Sequence, residues 1–96
     1  MMPLSDTPVG RLKNIGPKSA EWLHDIGVYT YADLQQMGAL LAYTLIKSQH
    51  PQTTAVMLYA LVGALKNVHW NSFSQEEKEH LKQEAHAIHF PDTQPK

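Results

Sequence analysis

The stretch Leu12-Lys13-Asn14-Ile15-Gly16-Pro17-Lys18-Ser19-Ala20 decides how the chain is read. Pro17 follows a glycine and opens a run in which Ala20, Leu23 and Ile26 recur at helical spacing, with Trp22 beside them. Proline is favoured at the first helical position, because the N–H it lacks would have had no intrahelical partner there. A helix therefore starts at Pro17, and Gly27 supplies the left-handed residue that ends it. Upstream, Asn14 is the non-glycine type that best accepts the left-handed region, so Asn14-Ile15-Gly16 reads as a sharp turn with Ile15 plugged into the core. Gly16 is expected to sit where only glycine serves, so that Gly16→Val disrupts the fold. The N–H groups of Gly16, Lys18 and Ser19 have no acceptor inside the helix and lie at its positive end, where an anion of phosphate size is favoured.

This turn resembles the helix-hairpin-helix motif. Asn14 takes the place of the first glycine in a Gly-hydrophobic-Gly hairpin, a short first helix runs over Val9 to Lys13, and Ala20 lets two helices cross closely. The resemblance implies a grip on the sugar–phosphate backbone without reading of bases. Carried over residue by residue, the nucleic-acid candidates are Asn14, Gly16, Lys18 and Ser19, with Lys13 as a flanking cation. Two or three cations neutralise as many phosphates, so binding is expected to be weak and steeply salt-sensitive. A second unit is only loosely echoed over Val28 to Tyr43, whose turn Met37-Gly38-Ala39 carries no cation.

Outward from the hairpin, helical punctuation continues. Thr30 is a good N-cap with Asp33 three residues on, and Tyr31, Leu34 and Met37 follow up to Gly38. Ala39 to Ser48 is apolar on nearly all sides and is expected to be the central buried helix. After Pro51, Thr53 or Thr54 caps a helix whose Ala60, Gly63 and Ala64 form a small-residue seam for close approach of another helix. Ser74 with Glu77 is a capping box, and Leu81, Ala85 and Ile88 stripe a last, otherwise polar helix lying across the outside. Strand signals are weak. The expected fold is all-α: about five short helices in a compact bundle, in a helix-hairpin-helix (SAM-like) arrangement over residues 9–89, between a flexible lead (1–8) and a flexible tail (90–96).

The composition narrows the chemistry. The chain has 96 residues, 43% hydrophobic, a formal net charge of −1 and no cysteine, so one modest core forms and no disulfide, thiolate nucleophile or Cys-based metal site is available. No window approaches a membrane span and the start lacks a secretory pattern, which points to a cytoplasmic protein with no membrane partner. Charge is uneven: residues 9–47 net +1, and Arg11, Lys13 and Lys18 precede the first acid of that region. No Gly-rich phosphate loop, nucleophile motif or acid pair suggests an enzyme. Glu77 and His80 share a helix face, but a carboxylate–histidine metal site needs a second such pair, so the histidines are read as solvated and neither metal nor other cofactor is expected.

The resemblance extends beyond the hairpin. Leu12 to Gly16, Glu21-Trp22-Leu23, Gly27-Val28, Leu34, Gly38-Ala39, Tyr43, Leu58-Tyr59-Ala60-Leu61, Gly63-Ala64-Leu65 and His69-Trp70 follow an order similar to that of the C-terminal domain of the TfoX family, bacterial regulators of competence for DNA transformation. It spans about residues 9–85 and implies a regulatory or adaptor domain without catalytic activity. The N-terminal domain of the longer members has no counterpart in these 96 residues. The implied role is therefore that of an accessory which docks a protein partner or a TfoX-like relative, or touches the DNA phosphate backbone. The alternative is a stand-alone, non-specific DNA-binding module. Trp22 is the candidate partner anchor, although packing is the favoured reading of it. Trp70 is expected to fold back over helix ends, and of Tyr29 and Tyr31 one is expected inside.

Overall fold

The computed structural model describes residues 4–87; Ile88, His89 and the expected tail lie outside the described residues. Five α-helices follow one another: α1 (Pro17–Asp25), α2 (Tyr31–Met37), α3 (Ala39–Gln49), α4 (Ala55–Lys66) and α5 (Gln75–His86). Each boundary has a local cause. Pro17 stands in the first turn of α1, and Gly27, at φ 86°, closes its far end while the Val28 N–H returns to the Leu23 carbonyl at 2.9 Å. Gly38, at φ 90°, breaks α2 from α3. Asn67, at φ 60°, ends α4 in the same manner as Gly27, with the Val68 N–H on the Gly63 carbonyl at 2.9 Å.

The expected first helix over Val9 to Lys13 contracts to one 3-10 turn, Val9–Arg11, after which Leu12 is extended. The segment before it explains why. Pro8 and Thr30 form an isolated antiparallel bridge, the Val9 N–H donates to the Tyr29 carbonyl (3.0 Å), and the Tyr31 N–H donates to the Thr7 carbonyl (2.8 Å). A chain committed to that bridge reaches Asn14 with room for a single tight turn. Residues 4–8 of the lead are accordingly seated against the start of α2, with a 3-10 turn at Leu4–Asp6.

Val9, Leu23, Val28, Leu34, Ile46, Leu58 and Leu61 are fully buried. The central helix is α4, not α3: seven residues of α4, from Met57 to Ala64, are buried, and α2, α3, α5 and the 3-10 turn Trp70–Ser72 all pack on it. α3 buries Ala42, Tyr43 and Ile46 but leaves Leu40 39% and Leu41 50% exposed. A helix apolar all round identifies itself as apolar and not as central; neighbours on every side make it so. α5 lies outside with Ala85 buried. No helix among the described residues is long and apolar enough to cross a membrane.

Candidate nucleic-acid interface

The hairpin is fixed from within by one side chain. Asn14 has φ 72°, the left-handed geometry expected of it. Its Nδ2 donates to the Val68 carbonyl (2.9 Å) and the Ala60 carbonyl (3.4 Å), and its Oδ1 accepts from the Trp70 N–H (3.2 Å). The amide therefore ties the turn to the middle of α4 and to the chain leaving it, satisfying the Val68 carbonyl and the Trp70 N–H. Gly63 makes room for this: a Cβ there would stand 2.5 Å from Asn14 Nδ2 and 2.7 Å from the Val68 oxygen. At Gly63 the small-residue seam thus admits an asparagine amide and a loop.

The outer side of the same turn is open. α1 has no side-chain cap, and the N–H groups of Gly16, Lys18 and Ser19 donate to no acceptor among the described residues. Lys13, Gly16, Pro17 and Lys18 are exposed and Ser19 is half-buried. Gly16 itself is extended (φ −92°, ψ −176°), and a Cβ added to it meets nothing within 4 Å. The expectation that the fold demands glycine here is corrected. A residue before proline is driven to extended backbone, which valine also prefers. Of the five candidates, Asn14 turns its amide inward to brace the turn, Lys13, Gly16 and Lys18 are exposed, and Ser19 is half-buried.

Trp22 is half-buried and stacks on His50, with ring centroids 4.1 Å apart and planes 12° apart; Lys18 Nζ lies 6.0 Å from the Trp22 ring. His50 Nε2 is buried without a hydrogen-bond partner. Between Trp22 and Trp70 a shallow groove of about 340 Å³ begins at Asn14 and Ser19 and runs along Gln52 to Thr54. Sequence reasoning missed His50 as the partner of Trp22, because nothing in the spacing of α1 marks which residue of a distant loop will cover it. Trp70 packs against Tyr59 in the first half of α4 (centroids 5.6 Å), with Lys78 Nζ 5.1 Å from its ring, so it lies over the body of α4 and the start of α5. Tyr31 is the inward tyrosine, its hydroxyl donating to the Leu65 carbonyl at 2.7 Å, whereas Tyr29 is 55% exposed beside His24. Among the described residues no three His, Asp or Glu side chains gather as a metal site.

Compared with known families, the chain matches the TfoX C-terminal domain over residues 5–85. It is similar to the triclinic crystal form of an uncharacterized protein from Listeria monocytogenes, at a TM-score of 0.76 and 26% identity, covering 88% of this chain and 99% of that one. A tetragonal crystal form of a protein of unknown function from Listeria monocytogenes gives a TM-score of 0.76 and 26% identity over 82% of this chain and 96% of that one. No curated protein matches.

Proposed function

Since the chain belongs to the TfoX C-terminal domain family, we propose that it is a non-catalytic, cytoplasmic regulatory domain in the control of competence for DNA transformation, and that it acts by binding, with the hairpin touching DNA phosphates. One observation carries the DNA contact. Three N–H groups at the start of α1 have no acceptor among the described residues, and two exposed lysines, Lys13 and Lys18, belong to the same turn. A phosphate oxygen on those amides would meet both hydrogen bonds and the positive end of the helix dipole. A contact made by main-chain amides and lysines to phosphate carries no base information, so it orients the domain on a duplex without choosing a sequence.

The test is duplex binding by fluorescence anisotropy across a salt series. Two or three phosphate contacts give a slope of log K against log salt of about −2 to −3. Lys13→Glu combined with Lys18→Glu abolishes binding and leaves melting unchanged, because both side chains are exposed. Absence of any low-salt binding, or indifference to the double reversal, overturns the DNA contact.

A protein-docking reading has its own support. No charged residue occurs from Leu34 to Ile46, and within that run Leu40 and Leu41 are exposed apolar side chains on α3. Such a face suits a polypeptide, with Trp22 as a second anchor in the groove described above. A polypeptide retained after nuclease treatment, and lost with Leu41→Lys or Trp22→Ala, supports docking; recovery of nucleic acid alone counts against it.

A further inference from the structure

Thr53, Thr54 and Val56, which border the groove beside Trp22, also border a second and larger groove of about 670 Å³ enclosed by α3, α4 and α5. Its walls hold two tyrosines, Tyr43 and Tyr59. Tyr43 is 3% exposed and Tyr59 9%, and neither hydroxyl has a hydrogen-bond partner among the described residues. Neither is sealed off, since the side-chain polar atom found both buried and unpartnered is His50 Nε2. Buried tyrosines ordinarily find a partner for the O–H. Here the rings are packed and both side chains line the groove.

The first turn of α4 lines the same space, and it is uncapped. Thr54 occupies the cap position without a side-chain hydrogen bond, and Thr53 turns its hydroxyl back to the His50 carbonyl at 2.6 Å. The N–H groups of Ala55 and Val56 donate to no acceptor among the described residues. Three cationic or cation-forming side chains surround this end: Lys82 and His86, one turn apart on α5, and Lys47 on α3. Lys47 Nζ lies 2.9 Å from the Pro51 carbonyl and 2.7 Å from that of Thr53, which fixes the ammonium at the wall and leaves its third hydrogen unassigned. No carboxylate lines the groove; Glu79 stands one turn before Lys82 and lines a neighbouring depression.

We infer that this groove is an oxyanion site for a phosphate group, bound by the Tyr43 and Tyr59 hydroxyls and the opening amides of α4, with Lys47, Lys82 and His86 supplying positive charge. Phosphate fits better than carboxylate, because donors from three elements converge and a tetrahedral anion offers acceptors in more directions. The site stands independently of the hairpin. The same chemistry has two sources, a free small phosphate or a backbone phosphate of nucleic acid, and the border shared with the Trp22 groove leaves both open to test.

The experiment is an amide and aromatic NMR titration of the full chain with inorganic phosphate, ionic strength held constant with chloride. Saturable shifts are expected at Ala55 and Val56 and at the Tyr43 ring. Tyr43→Phe removes only an unpartnered hydroxyl, so it keeps the melting temperature and weakens phosphate about tenfold. Lys82→Ala with His86→Ala, both exposed, weakens it several-fold. No saturable shift, or an affinity that neither variant changes, overturns the site. A second titration with a short duplex assigns the source: tighter saturation at Ala55 and Val56 than with inorganic phosphate means a backbone phosphate, and no response there means a free one. Lys13→Glu with Lys18→Glu leaves the inorganic-phosphate titration untouched, so failure of the hairpin reading and failure of this site are separable.

Discussion

The helices of this domain begin in two ways. α2 and α5 close their own ends with capping boxes: Thr30 accepts from the Asp33 N–H and Asp33 from that of Thr30, while Ser74 and Glu77 make the same exchange. α1 and α4 start with no side-chain cap, and each borders a groove with cations near it. α3 also starts uncapped, but its first turn carries Leu40 and Leu41 and no charge. A capped end has used its amide donors locally, and an uncapped end keeps them for something else. The difference teaches that, in a chain of net charge −1, amide donors without a side-chain cap belong to particular helix ends and are not spread over the molecule.

The largest expected effect falls on the support behind the uncapped end of α1. Gly63→Ala drives a methyl group into Asn14 Nδ2 and the Val68 oxygen, at a cost of about 3 kcal/mol in denaturant unfolding. Asn14→Gly keeps the turn geometry but removes three hydrogen bonds, at about 2 kcal/mol. The pair is coupled: with Asn14→Gly in place, Gly63→Ala costs less, because the amide it struck is gone. Additive losses would mean that the clamp is not what positions the hairpin.

Next come the caps themselves. Thr30→Ala and Ser74→Ala should each cost about 1 kcal/mol, whereas Thr54→Ala should cost a small fraction of that, since Thr54 caps nothing. Equal losses at Thr30 and Thr54 would erase the distinction between the two kinds of helix start. Acid sharpens it further. The Tyr29 and Thr30 N–H groups hold the Asp33 carboxylate below its ordinary value of 3.8. A group with a depressed pKa in the folded state stabilises fully above its unfolded value and loses that stabilisation as the pH falls through the folded one. Melting of the parent protein should therefore drop on acidification below about pH 4, and Asp33→Asn should be less stable at neutral pH with a shallower drop.

How much of this was legible beforehand follows a physical line. Caps and breakers are local, so Pro17, Gly27, Thr30, Gly38 and the Ser74–Glu77 pair marked the helix ends in the sequence itself. The left-handed turn at Asn14 was legible for the same reason. What Asn14 would bond was not, because Ala60, Val68 and Trp70 reach it only after α4 has packed. Periodicity gives a face and not a neighbour, so α3 passed for the central helix and His50 was not foreseen under Trp22. Tyr43 and Tyr59 are buried, but no pattern in the sequence tells where a buried ring leaves its hydroxyl.

The smallest expected change in stability is also the most informative about binding. Gly16→Val places an isopropyl group where nothing lies within 4 Å of the new Cβ and where the backbone is already extended, so unfolding should move by no more than about 0.5 kcal/mol. The valine nevertheless stands beside the Lys18 and Ser19 amides and, in front of an incoming phosphate, takes the space that the oxygens need. Its charge is unchanged, so long-range attraction to a duplex persists while close contact is blocked. Gly16→Val should thus weaken duplex binding several-fold with the salt slope reduced, whereas Gly16→Ala sits between it and the parent protein. If both variants bind as the parent does, the amides are bystanders and Lys13 and Lys18 attract phosphate from a distance without a seat for it; if Gly16→Val instead unfolds, the open face assigned to this turn is occupied by the protein itself.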